Sequence, residues 1–218
     1  MADLTPLPFI LSDAARDELV ASLEGLAATD EERDTFRDPY WFSGDRTYDS
    51  SLVVFPSSVE QVQELIRIAN RHEAPVWTSS QGRNNGYGGP SPRVAGSVLI
   101  SLRNMNRILE INTELAYAVV EPGVRWLDLH AALHELGDEL MLSVPDIGWG
   151  SIIGNSLDNG MTYLPLGADH SAPCGMEVVL ADGSLLRTNM GAIPDSKSFH
   201  IYKRSLGPSL DALFTQSN

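Results

Sequence analysis

The residues best able to do chemistry in this chain lie in stretches crowded with glycine and small polar side chains. Residues 78–92, TSSQGRNNGYGGPSP, place Gln81, Gly82, Arg83, Asn84 and Asn85 directly after an apolar strand pattern. Gly82 and Gly86 permit backbone shapes that turn N–H groups outward, and a nest of that kind holds a pyrophosphate. Arg83 would add a local countercharge in an otherwise acidic chain. The spacing is neither a dinucleotide fingerprint nor a Walker loop, because no amphipathic helix follows and no GK[ST] occurs. Taken alone, the loop reads equally as a glycine-rich surface turn.

Residues 144–160, VPDIGWGSIIGNSLDNG, carry Gly148, Gly150, Gly154 and Gly160, with Gly167 beyond them. A backbone so short of side chains can approach a flat ligand closely, although glycine is costly to order. Asp146, between Pro145 and Ile147, is expected to be partly buried, and a desolvated carboxyl titrates high enough to work as a general acid or base. The plainer reading is a turn residue after Pro145. A third stretch, residues 175–188, GMEVVLADGSLLRT, alternates like a core hairpin turning at Asp182 and Gly183, with Glu177 edge-exposed or paired. His130 and His134 are one helical turn apart but lack an acidic third ligand, so they read as surface histidines. No G-x-S-x-G nucleophile motif occurs. Cys174, the single cysteine, cannot form an internal disulfide and is expected to be a small buried residue.

Several regular elements must position these stretches. Ser12 and Asp13 cap a helical pattern with Leu19, Leu23 and Leu26 on one face. Residues 36–50, FRDPYWFSGDRTYDS, read as an irregular segment draped over a domain, or lining a ligand edge. LVVF from Leu52 is a strand. Ser58 and Gln61 form a capping-box pattern that opens a helix to about His72, with Val59, Val62, Ile66 and Ala69 as its buried stripe. Pro75 ends that helix and PVWT is a second strand, giving a right-handed βαβ unit. Strands are expected at residues 98–102 and 117–121, and a helix at 126–136 marked by Trp126, Leu129 and Leu133. The pattern is mixed α/β or α+β, without internal repeats or a low-complexity linker, and so reads as one domain. Its polar end, LFTQSN, completes no element and suggests fraying or truncation.

Composition narrows the function classes. The chain has 218 residues, 43% hydrophobic and 20% charged, enough for a sizeable core and unlike a disordered chain. Acidic residues outnumber basic ones 29 to 15, for a formal net charge of -14, which disfavours nucleic acid and anionic membrane partners. No stretch approaches the roughly 20 apolar residues of a membrane span. The opening MADLTPLPFI lacks a basic segment followed by an apolar one, so a soluble, cytoplasmic protein is expected.

Three segments in order, SQGRNNGYGGPSPR, VPDIGWGSIIGNSLDNG and GMEVVLADG with RTNMGAIPD, resemble the FAD-binding domain of the vanillyl-alcohol oxidase and 4-cresol dehydrogenase family. The connecting NMNRILEIN and AYAVVEPGV agree as well, so the resemblance runs from about Phe36 to Asn218. It implies an α+β, two-subdomain, PCMH-type FAD-binding fold without its substrate-cap domain. Residues 1–50 would be an N-terminal helical and irregular segment. Residues 51–218 would form the domain, with subdomains at about 51–95 and 96–218 and FAD lying between them.

By the same resemblance, Ser80, Gln81, Gly82, Arg83, Asn84, Asn85 and Gly86 would hold the pyrophosphate. Gly150, Ser151, Gly154 and Asn155 would contact the flavin and its ribityl chain, and Pro145, Glu177 and Val179 complete the cofactor set. Asp146 would sit near flavin N5, Tyr87 would bind the phenolate oxygen and Tyr163 would line the substrate cavity. The implied chemistry is oxidation of para-substituted phenols by hydride transfer from the benzylic carbon to flavin N5, through a quinone methide to which water adds. The implied partners are a small phenolic substrate and an electron acceptor, either oxygen or a cytochrome, and a homo-oligomer is compatible with the family.

Departures from the family pattern bear on the substrate. GVGYTPYGDH becomes GMTYLPLGADH, so Thr162, Leu164 and Leu166 replace glycine, threonine and tyrosine. Counted from Tyr163, Ala168 and Asp169 take the family's Asp and His positions, and His170 falls one residue late without a family role. HIYKRSLGPSLDALFTQSN is more basic than the common FPYGFGP ending. Family members continue past such an ending into a capping domain that carries the covalent FAD attachment and further phenolate-binding Tyr and Arg residues. The chain is therefore expected to be the flavin-binding portion of a larger enzyme. The alternatives are a non-catalytic flavin-binding module, or a related FAD enzyme of hydroxy acids or sugars, against which Tyr87, Asp146 and Tyr163 argue together. An unrelated α/β domain would bind no flavin at all.

Overall fold

Val98–Ser101 is buried at every position, as a strand covered on both faces must be. In the computed structural model, which describes residues 9–23, 27–40, 48–84, 89–137, 140–163, 167, 169–203 and 208–215, this segment is the middle strand of a parallel three-stranded sheet. The chain divides into two compact units, Met1–Asn104 with Ala181–Gly183, and Met105–Leu180 with Ser184–Asn218.

The first unit opens with α1 (Asp13–Ala21) and α2 (Asp30–Asp34). Ser12 caps α1 by accepting from the Ala15 N–H at 3.2 Å, and Ala15 and Leu19 are buried on the inward face. Leu23 is fully buried, while Leu26 lies outside the described residues. The short, polar α2 was not evident from hydrophobic pattern. It exists because Thr29 and Glu32 form a reciprocal capping box, with N–H donors satisfied at 2.9 and 3.2 Å.

Then follow β1 (Leu52–Val54), α3 (Val59–Arg71), β2 (Val76–Ser79) and β3 (Val98–Ser101). The sheet order is β1-β3-β2, with both pairings parallel. The expected βαβ unit thus has its two strands separated, because β3 inserts between them and pairs with each. Alternation along the strands sends Leu52, Val54, Val98 and Ile100 into a cluster with α1 and α3. Val53 and Leu99 face Phe36, with Phe55 and Trp77 packed alongside. Phe36 is therefore core; of the irregular segment it begins, residues 41–47 lie outside the described residues.

Ser58 caps α3 as expected, accepting from the Gln61 N–H at 3.3 Å, but the Gln61 side chain accepts from the N–H of Ser57 at 2.7 Å rather than from Ser58. The buried residues of α3 are Leu65, Ile68 and Ala69. This corrects the stripe Val59, Val62, Ile66 and Ala69: only Ala69 belongs to both, because the apolar surface of α3 is broad and the sheet takes its Leu65 side. Glu18 of α1 clamps α3, receiving Arg71 at 2.5 Å and His72 at 2.6 Å. These bonds, His72 first, hold the Glu18 carboxyl below its usual range. Polar side chains of α3 fix the segment Ala181–Gly183: Asn70 donates to the Ala181 carbonyl and Gln63 to that of Gly183, each at 2.7 Å.

The second unit starts with the antiparallel pair β4 (Ile108–Asn112) and β5 (Tyr117–Val120). Glu121, 6% exposed, ends it by accepting from the Arg107 backbone N–H at 2.7 Å and its guanidinium at 2.6 and 3.0 Å. α4 (Trp126–Glu135) buries Trp126, Leu129 and Leu133, one face of a 3.6-residue repeat. α5 (Ile152–Leu157) follows, then the hairpin β6 (Glu177–Val179) and β7 (Leu185–Arg187). Helix and sheet are mixed as the α+β reading expects. Cys174 is half-buried, not the fully buried residue expected. Among the described residues no helix is long and apolar enough to cross a membrane.

Leu65 is completely enclosed between α1 and the sheet. Leu65→Ala is expected to lower the unfolding free energy by about 3 kcal/mol, measured by urea denaturation of the purified chain.

Candidate functional site

The carboxyl ends of parallel strands are where open sheets place ligands, because the connecting loops converge there. At that edge of the first unit, Ser79 ends β2 beside its register partner Ser101 at the end of β3. Ser80, Gln81 and Gly82 leave β2 half-buried, and Arg83 and Asn84 are exposed. Gly82 has φ +65°, and a side chain there would meet the Cβ and Cγ of Pro90 at 3.2 Å. Both facts exclude a larger residue, so the backbone itself faces outward at this turn. The Gly89 N–H closes the loop by donating to the Asn84 carbonyl at 2.9 Å. Asn85, Gly86 and Tyr87 lie outside the described residues.

In the second unit the glycine segment is captured by the start of α4. The N–H groups of Trp126 and Leu127, which have no partner within their own helix, donate to the carbonyls of Gly150 at 3.2 Å and Gly148 at 3.0 Å. Gly148 allows this approach, since a Cβ there would lie 2.9 Å from Leu127 Cγ. Ser151 caps α5, accepting from the Gly154 N–H at 2.9 Å and donating to the Pro122 carbonyl at 2.6 Å. Its hydroxyl is therefore committed to structure.

Asp146 is exposed rather than partly buried, because the turn after Pro145 projects it into solvent, while Pro145 is half-buried. Tyr163 is 100% exposed. Glu177 is exposed and paired with Arg187 across the hairpin at 2.6 Å, and Val179 is half-buried opposite Leu185. His130, His134 and His170 are all exposed, and no group of metal-ligating side chains occurs among the described residues.

The residue that sequence reasoning passed over is Asp169, 2% exposed. One carboxylate oxygen accepts from Asn155 Nδ2 at 2.9 Å and the other from Ser143 Oγ at 3.3 Å. Ser143 also shares a 2.7 Å hydrogen bond with Thr162 Oγ1. The network ties both ends of the glycine segment to α5. Gly160 completes it, because a Cβ there would fall 2.2 Å from Asn155 Oδ1. The only signal in the sequence was the Gly167-to-His170 stretch, where counting along the motif assigned Asp169 the place of a histidine. Asp169→Ala would leave the Asn155 amide without its acceptor in a buried setting. The expected loss is about 2 kcal/mol of stability, read from denaturant midpoints at unchanged slope.

Comparison with known proteins agrees with the motif resemblance. A family model described as an FAD binding domain matches residues 50–189. The 4-cresol dehydrogenase [hydroxylating] flavoprotein subunit of Pseudomonas putida is 44% identical over 170 residues, covering 77% of this chain and 32% of its own length. Among solved structures, 4-ethylphenol oxidase from Gulosibacter chungangensis superposes with TM-score 0.92 at 43% identity, covering 97% of this chain and 42% of its own. p-Cresol methylhydroxylase with substrate bound gives TM-score 0.91 at 35% identity, with the same coverage of 97% and 42%. The chain thus spans about a third of the curated relative and two fifths of the solved ones. With its mixed helices and sheets and its match over residues 50–189, the chain belongs to the FAD binding domain family, has the PCMH-type fold, and takes FAD as its cofactor.

Proposed function

We propose that this chain is the flavin-binding portion of an FAD-dependent oxidoreductase that oxidises para-substituted phenols. The observation that carries the reading is the chemistry common to the similar enzymes: 4-cresol (p-cresol) and 4-ethylphenol are both para-alkylphenols, and those proteins are 35% to 44% identical to this chain. The residues present fit a dinucleotide. A side chain at Gly82 would be strained at positive φ and crowded against Pro90, which keeps bare backbone at this turn, and the buried Ser79 Oγ has no partner. FAD supplies the hydride acceptor, flavin N5.

The chain's own contribution is binding, orientation and proton handling. In this reading residues 80–86 receive the diphosphate through backbone N–H groups, with Arg83 as countercharge. The segment from Gly150 to Asn155 approaches the flavin by its backbone, since the Ser151 hydroxyl and one Asn155 N–H are already engaged. Tyr87 and Tyr163 bring hydroxyls to the phenolate oxygen and the substrate cavity. Asp146, solvent-exposed and flanked by Pro145, takes a proton from the water that adds to the quinone methide left by hydride loss. The electron acceptor would be oxygen or a cytochrome.

Gly82→Val is expected to abolish FAD retention, read from the visible flavin bands of the purified protein; normal flavin content would remove this loop from the cofactor site. In the full gene product, Asp146→Ala is expected to slow flavin reduction by a 4-alkylphenol about 100-fold, measured by stopped-flow absorbance. An unchanged rate would take Asp146 out of the reaction.

A further inference from the structure

Beside the glycine loop and its Arg83, the same edge of the first unit's sheet holds an arginine that the loop motif does not include. Arg103 follows β3 by two residues, in the turn Leu102–Asn104. Its guanidinium lies 4.4 Å from the ring centroid of Phe36 and 5.5 Å from that of Phe55. Stacking of this kind holds the planar group by its faces and leaves its edge N–H donors for another acceptor. Its Nε donates to Ser101 Oγ at 3.2 Å, which orients the fork at the end of the sheet. Ser101 is the register partner of Ser79, whose shielded hydroxyl has no hydrogen-bond partner.

The charges around this cluster are unbalanced. Among the described residues neither Arg83 nor Arg103 forms an ion pair, although the whole chain carries a formal net charge of -14. The acidic group that does act on Arg103 is Glu32, whose carboxylate is already occupied by the Thr29 N–H and hydroxyl at 2.9 and 3.1 Å. Burial first, and the charge of Arg83 second, hold Arg103 below the usual arginine value. Two guanidinium groups whose charges oppose each other, with an unsatisfied hydroxyl on the register partner of the serine that Arg103 bonds, form an arrangement that a multivalent anion relieves.

We propose that Arg103, with Arg83 and the Ser79 hydroxyl, forms an anion site at the carboxyl edge of the sheet that takes a diphosphate. Arg103 donates from its stacked fork and Ser79 from its hydroxyl, in addition to the backbone of the neighbouring loop. The identification of the natural occupant as the diphosphate of FAD rests on the proposed function; the site itself does not. Arg103 is a binding residue here, and the aromatic pair Phe36 and Phe55 sets its orientation.

The test is titration of the purified chain with inorganic pyrophosphate, orthophosphate and FAD, followed by calorimetry and thermal midpoint at two salt concentrations. Arg103→Met keeps an apolar side chain over the two rings and removes the charge; it is expected to raise the Kd for pyrophosphate and for FAD about tenfold or more and to flatten the salt dependence. Ser79→Ala, which removes one oxygen, is the second variant and is expected to weaken pyrophosphate binding several-fold even if Arg103→Met does not fold. Absence of pyrophosphate binding to the unaltered chain, or equal affinity in both variants, overturns the proposal. Orthophosphate bound as tightly as pyrophosphate also overturns its diphosphate assignment. Pyrophosphate bound with this arginine dependence but without FAD binding sustains the site and defeats the flavin reading, whereas FAD bound equally by both variants defeats the site and leaves that reading standing.

Discussion

Backbone hydrogen bonding by Val98–Ser101 to two neighbours at once is the constraint on which the first unit depends. The middle strand of a parallel sheet is buried on both faces, and Val98, Leu99 and Ile100 are so, the first and last against the helices and the middle one against Phe36. The pairing also aligns strand ends. Ser79 meets Ser101, so the loop that leaves one strand and the turn that leaves the other start side by side. Glycine at position 82, arginine at 83 and arginine at 103 thereby share one edge of one sheet, though 20 residues separate the two arginines in the sequence. A one-residue slip in that register would turn the alternating apolar set outward and separate the two serines.

The second unit solves a different problem, that of holding a segment with few side chains of its own. Glycine carries no packing surface, so residues 144–160 depend on hydrogen bonds supplied by others. The start of α4 gives two of its own unpaired N–H groups to the carbonyls of Gly148 and Gly150, and Ser151 closes the next turn through Pro122. Asp169 anchors the far end through Ser143 and Asn155. A buried carboxylate without a basic partner is tolerated because its oxygens accept from an amide and a hydroxyl.

The two units carry different candidate segments. The first unit offers backbone turns, hydroxyls and guanidinium groups at a sheet edge; the second offers a glycine backbone held by polar anchors. The family match over residues 50–189 includes both segments. The similar enzymes share a para-alkylphenol in their names, and Asp146 and Tyr163 of this chain are both exposed.

Short-range chemistry in the sequence determined the local elements. Ser12, Ser58 and Thr29 start helices because their side chains reach N–H groups only three residues away, and Asp182 with Gly183 turns a hairpin whose Gly183 sits at φ +81°. The glycine and amide segments that mark the family are likewise contiguous, so their order carried the family resemblance, and the resemblance implied the cofactor. Tertiary structure decided what depends on distant partners. β3 enters between β1 and β2, and α3 presents Leu65 and Ile68 because its apolar residues cover more than one face and the sheet selects among them. Asp146 is exposed although its neighbours suggested partial burial, Asp169 is buried with no local signal for it, and Arg103 gains its place from Phe36 and Phe55. Burial, stacking and the absence of a counterion are properties of surroundings assembled from separate parts of the chain, and no local pattern encodes them.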